Sequence, residues 1–91
     1  MSGTDTPTGP RKVLQQALEA GFEASVEAGK NGEATAWLVT GEKDDHGFSA
    51  LWTQASPEAG VRSLGIFAWG ADRTATPLKL TELRTWLERA A

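Results

Sequence analysis

Apolar and polar residues alternate with a period of two through the middle of the chain, and with a helical period at both ends. Phe22, Ala24, Val26 and Ala28 fall on one side of a short segment, with Glu23, Ser25 and Glu27 on the other. That is the pattern of a half-buried strand with one wet face. Three further runs are rich in residues that suit a pleated surface: Trp37-Leu38-Val39, Phe48 to Gln54, and Val61 to Trp69. Each is bounded by glycine, proline or clustered acids, which predicts three more strands. Ahead of them, Val13, Leu14, Ala17 and Leu18 form one apolar stripe of a helix over Arg11–Ala20. Pro10 suits its first turn, Thr8 or Gly9 is placed to cap it, and Gly21 supplies the stop. At the far end Leu80, Leu83, Trp86, Leu87 and Ala90 repeat at helical spacing. A start capped by Thr81 is preferred there to one at Thr76-Pro77. The polar, Pro/Gly-rich residues 1–9 read as a disordered tail. Residues 10–91 read as a single α+β domain: helix, four-stranded antiparallel meander, helix (α-β-β-β-β-α).

Following parity through the first hairpin divides the apolar residues into two sets. Asn31-Gly32 is a strong hairpin signal. A two- or four-residue loop there pairs residues whose numbers sum to 63 or 61. Both registers place Trp37 and Val39 on the face of Ala24 and Val26, so Trp37 is expected in the core. Leu38, with Ala34 and Ala36, then shares the face of Glu23 and Glu27. In the third strand Phe48, Ala50 and Trp52 form the bulkier face and Leu51 points away. In the fourth, Arg62, Leu64, Ile66 and Ala68 lie on one side, and Val61, Ser63, Gly65, Phe67 and Trp69 on the other. Interior Gly65 marks a bulge or a close approach. If both helices cover the Trp37 face, Leu38, Leu51, Phe67 and Trp69 are left together on the opposite side. Such a patch, on the order of a few hundred Å², is more than a small monomer usually exposes. Three arrangements account for it: one helix on each face, a protein-binding or self-association surface, or a site for a ligand or bases. The sequence leaves open which face each helix covers. The four tryptophans, spaced by 15, 17 and 17 residues, supply one anchor per element and not a repeat.

Composition narrows the chemistry. Of 91 residues about 80 are foldable, enough to bury roughly 60–65% of the unfolded chain's surface without staples. There are no cysteines, which excludes disulfides and thiolate metal sites and suits a reducing cytoplasm. The net charge of −3 is unevenly spread, at −1 over residues 1–30, −4 over 31–60 and +2 over 61–91. An acidic chain is a poor nonspecific nucleic-acid binder, although a local basic face is compatible with it. No apolar run approaches a membrane span, and no signal-peptide core is evident, so the expected location is cytoplasmic. The chain has one histidine, no glycine-rich phosphate loop and no Gly-x-Ser-x-Gly, so no enzyme and no cofactor are expected. Glu42, Asp44, Asp45 and His46 invite comparison with a cation site. Their spacing fits no calcium loop, and a solvated turn is the expectation, with no metal.

The order helix, strands, helix resembles in outline the double-stranded-RNA-binding domain, which is likewise α-β-β-β-α. The lysine-rich start of that family's second helix is replaced here by Leu80-Thr81-Glu82-Leu83. A nucleic-acid reading would use sheet aromatics as stacking platforms, with Phe67 and Trp69 beside Arg62 and Arg73. The leading expectation is a small non-catalytic interaction or regulatory module that self-associates or docks on a protein through Leu38, Leu51, Phe67 and Trp69. A nucleic-acid-binding domain is the alternative. The alanine- and arginine-rich vocabulary suggests a bacterial or phage accessory protein.

Overall fold

A computed structural model describes residues 6–90; residues 1–5 of the expected tail and Ala91 lie outside the described residues. Helix α1 (Thr8–Glu19) leads into strands β1 (Glu23–Asn31), β2 (Ala34–Lys43), β3 (His46–Gln54), β4 (Arg62–Trp69) and β5 (Thr76–Pro77), followed by helix α2 (Leu80–Ala90). The strands lie in chain order in one antiparallel sheet. The α+β meander therefore stands, lengthened by a two-residue fifth strand at the β4 edge.

The first hairpin turns through Gly32-Glu33, with Asn31 paired to Ala34. Gly32 takes a φ of +67°, a left-handed conformation that glycine adopts without steric cost. The expected register is thus off by two residues. A shift of two keeps every side chain on its face while moving the partners along, so that Val26 pairs with Val39 and Ala28 with Trp37. At the second hairpin, Asp44 and Asp45 make a two-residue turn, Asp44 adopting a φ of +54°.

Both helices lie on the same side of the sheet. Val13, Ala17 and Ala20 from the first helical segment, and Leu83 and Leu87 from α2, form one core with Phe22, Trp37, Val39, Phe48, Ala50, Trp52, Ile66 and Ala68. Small Ala17 and Ala20 let α1 approach the sheet closely. Phe22, Phe48 and Trp86 meet as an aromatic cluster with ring centroids 5.6–6.2 Å apart. Such spacing suits edge and tilted ring contacts. The helices run in the same direction: Gln16 Nε2 donates to the Arg84 carbonyl, and the two C-terminal ends converge on one side chain. Lys43 Nζ donates to Ala20 O and to Ala90 O, each at 2.7 Å. One ammonium thus satisfies a terminal carbonyl of each helix segment, where the helix dipoles favour positive charge.

Several local expectations are corrected. α1 begins at Thr8, earlier than Arg11, after Pro7 and without a side-chain cap from Thr8 or Gly9. Its buried stripe is Pro10, Val13 and Ala17, while Leu18 is 52% exposed. α2 begins at Leu80 with no cap from Thr81. Glu82 instead accepts the Lys79 backbone N–H at 2.7 Å, the reciprocal half of a capping box. The largest correction is in β4. Leu51 pairs with Gly65, but Trp52 pairs with Ser63, so Leu64 is an extra residue in a bulge. Leu64 is 61% exposed and does not share the core with Ile66. The bulge also reverses the facing of the residues before it. Arg62, paired with Thr53, joins the face of Leu51.

Candidate functional site

With both helices on one side, the other side of the sheet has no described element over it. Its side chains follow from strand register in four rows. One row runs Glu27, Leu38, Leu51, Gly65; the next runs Ser25, Thr40, Ser49, Phe67, Pro77. A third runs Glu23, Glu42, Gly47, Trp69, and a fourth Gly29, Ala36, Thr53, Arg62. Leu38 and Leu51 are directly paired in the middle of the sheet, both half-buried by their neighbours.

Two glycines shape the aromatic side of this face. A Cβ added at Gly65 would lie 3.6 Å from Phe67 Cε2, so the Phe67 ring leans back toward the Leu51 row, leaving it 44% exposed. A Cβ at Gly47 would fall 2.5 Å from two atoms of the Trp69 indole. The indole therefore lies flat across Gly47, an aromatic covering the bare backbone of its cross-strand partner. The inner face repeats the device, with Phe48 lying over Gly41.

All four predicted apolar residues thus share the open face, in a band from Leu38 through Leu51 and Phe67 to Trp69. The two predicted basic residues do not join each other. Arg62 stands at the start of β4, while Arg73 sits in the loop beyond its end, held at a φ of +63° with its N–H donating to Gly70 O. The length of β4, about 23 Å at ordinary strand rise, separates them. Electrostatically the face is two-sided. Glu23, Glu27 and Glu42 are exposed along β1 and β2, opposite Arg62 on β4. The acidic turn is split as well: Glu42 belongs to the open face, whereas His46 packs near Trp86 at 6.2 Å between centroids. Among the described residues no three acidic, histidine or cysteine side chains gather in a way that could hold a metal ion.

Elsewhere the surface has shallow hollows. One beside α2 is lined by Leu78, Thr81, Glu82, Thr85, Trp86 and Arg89. Another, at the β3–β4 connection, includes Ala55, Gly60, Val61 and Leu64. Neither contains histidine. No described helix is long and apolar enough to cross a membrane. Comparison of the chain with known protein families, curated proteins and solved structures gives no match.

Sequence reasoning missed two participants. Arg62 was placed on the wrong face because the bulge is a tertiary adjustment of β4 to β3. Lys43, read as part of a polar turn, instead ties the two helices together. A lone lysine among three acids, Glu42, Asp44 and Asp45, was the only local hint.

Proposed function

We propose that this chain is a small non-catalytic interaction module, an accessory or regulatory protein of the cytoplasm, that makes its protein contact through the uncovered sheet face. One observation carries the reading: both helices cover the Trp37 side, and Leu38, Leu51, Phe67 and Trp69 lie together on the other with no described element over them. Aromatic and aliphatic side chains grouped on an accessible face are characteristic of protein contact surfaces, and their burial supplies the driving force. The non-catalytic part rests on side-chain inventory. The chain has no cysteine and a single histidine, exposed near Trp86 with no second histidine or thiol nucleophile to work with.

A photo-crosslinking residue placed at Leu51 or Phe67 tests this in cells producing the protein. Protein adducts are expected from both positions and not from Gln15, on the exposed surface of α1. Absence of adducts from the sheet face, or equal yield from Gln15, refutes the reading. The second reading, nucleic-acid binding, has in its favour Phe67 and Trp69 on the same face as Arg62. Glu23, Glu27 and Glu42 on that face weigh against it, since each repels phosphate. Titration with single- and double-stranded oligonucleotides at low salt, where phosphate contacts are strongest, tests it. Binding weakened by Phe67→Ala would favour it over protein docking.

A further inference from the structure

We infer that the open face is closed by a second copy of this chain, the two sheets packing face to face about a two-fold axis parallel to the strands. This rests on the reading of that face as a protein contact and names the partner. A two-fold of this direction between β2 and β3 exchanges β2 with β3 and β1 with β4. It involves no translation along the strands, so each row faces the same row of the second copy. Leu38 then lies over Leu51 of the second copy, and Leu51 over Leu38, which makes a central four-leucine contact.

Two flanking rows fit as well as the centre; in the outermost row, at the margin of the contact, Trp69 faces Glu23 of the second copy and the two Glu42 side chains stand on adjacent strands across the axis. Phe67 on β4 faces Ser25 on β1 of the second copy, a tall side chain over a short one. Trp69, lying flat on Gly47, adds little height. Arg62 faces Gly29 of the second copy and is one row, roughly 7 Å, from its Glu27. Both are long side chains able to meet across sheets about 10 Å apart. The symmetry produces this ion pair twice. A two-fold running across the strands would instead set the acidic β1 flanks against each other, so charge selects the first axis.

The area sets the strength. Four rows by four strands give a face of about 27 by 19 Å, on the order of 500 Å² per copy. That is below the roughly 800 Å² per partner of a standard interface, so the expected association is micromolar and reversible.

Sedimentation equilibrium of the full chain from 5 to 500 µM (about a hundred-fold range, chosen to bracket micromolar affinity) is the experiment, at low ionic strength. The wild type is expected to show a monomer–dimer equilibrium. Glu27→Arg and Arg62→Glu should each weaken it about ten-fold, because each variant homodimer places like charges together twice. Mixing the two variants should restore wild-type affinity to within about three-fold, since both cross pairs become opposite again. Both positions are exposed, so folding is not at stake. A wild type that stays monomeric at the highest concentration overturns the second-copy inference, while docking on a different protein is then decided by the crosslinking experiment. A dimer whose charge variants do not recover on mixing overturns the arrangement. A dimer undiminished by both Leu51→Arg and Phe67→Ser overturns this inference and the underlying reading together.

Discussion

Replacing Lys43 with methionine removes the ammonium and keeps most of the aliphatic stem. The wild-type Nζ donates at 2.7 Å to Ala20 O and to Ala90 O, and lies 5.9 Å from the Phe22 ring centroid. Hydrogen bonds to charged groups contribute about 1.5–3 kcal/mol each when well buried. Lys43 is only half-buried, which lowers that value, and holding a lysine in one conformation costs about 1.5–2 kcal/mol of entropy. Favourable charge at each helix end adds about 0.3–1 kcal/mol, and the Phe22 contact adds about 0.5–1 kcal/mol. The balance for K43M is a loss of about 2 kcal/mol. For a domain of this size that lowers Tm by about 8–16 °C. Thermal and urea unfolding followed by circular dichroism are the assays, and the urea m-value should not change. Hydrogen exchange should locate the weakening in the last turns of both helices, not one. A loss under about 0.5 kcal/mol, or one confined to α2, would refute the idea that a single ammonium couples the two ends.

Further predictions concern packing. Trp37→Ala should cost about 3–5 kcal/mol in urea unfolding, because Trp37 is buried opposite Trp52. A cost below 1 kcal/mol (about the size of an ordinary surface effect) would undo the face assignment. The bulge is tested by neighbouring substitutions: Leu64→Ser should change stability by no more than about 0.5 kcal/mol, whereas Ile66→Ala should cost about 2–5 kcal/mol. Equal losses would mean that β4 pairs without a bulge. Gly41→Ala should cost about 1–3 kcal/mol, since the added methyl would meet Phe48 Cε1 at 2.5 Å with Ala24 close behind. Gly47→Ala should lift the Trp69 indole off the sheet, seen as increased quenching of tryptophan fluorescence by iodide; unchanged quenching would contradict the stacked geometry.

How much of the candidate site was readable beforehand varied with the range of the interaction involved. Leu38, Leu51, Phe67 and Trp69 could be assigned to one face because alternation within a strand is local. The hairpin shift from Asn31-Gly32 to Gly32-Glu33 left that assignment intact, since two residues is the full repeat of the pleat. Arg62 falls on the Ile66 side by strict alternation, and the structure reverses it. Its side depends on a single extra residue, Leu64, accommodated where β4 meets Trp52. Leu18 and Leu80 looked equivalent to Leu14 and Leu83 by spacing, yet a narrow helix stripe touches the sheet and its margins stay wet.

By itself the sequence determined the two periods, and hence the order of helix, meander and helix, the buried Trp37 and Trp52, and the division of the sheet into two faces. These follow from short-range rules, the 3.6-residue turn and the two-residue pleat, which act between residues a few positions apart. Tertiary structure alone decided that both helices lie on the same side. It also placed Lys43 between Ala20 and Ala90, 23 and 47 residues away, and put Arg62 beside the leucines. Those outcomes depend on which surfaces meet once the chain is folded. No periodicity encodes on which side of a sheet a helix comes to rest.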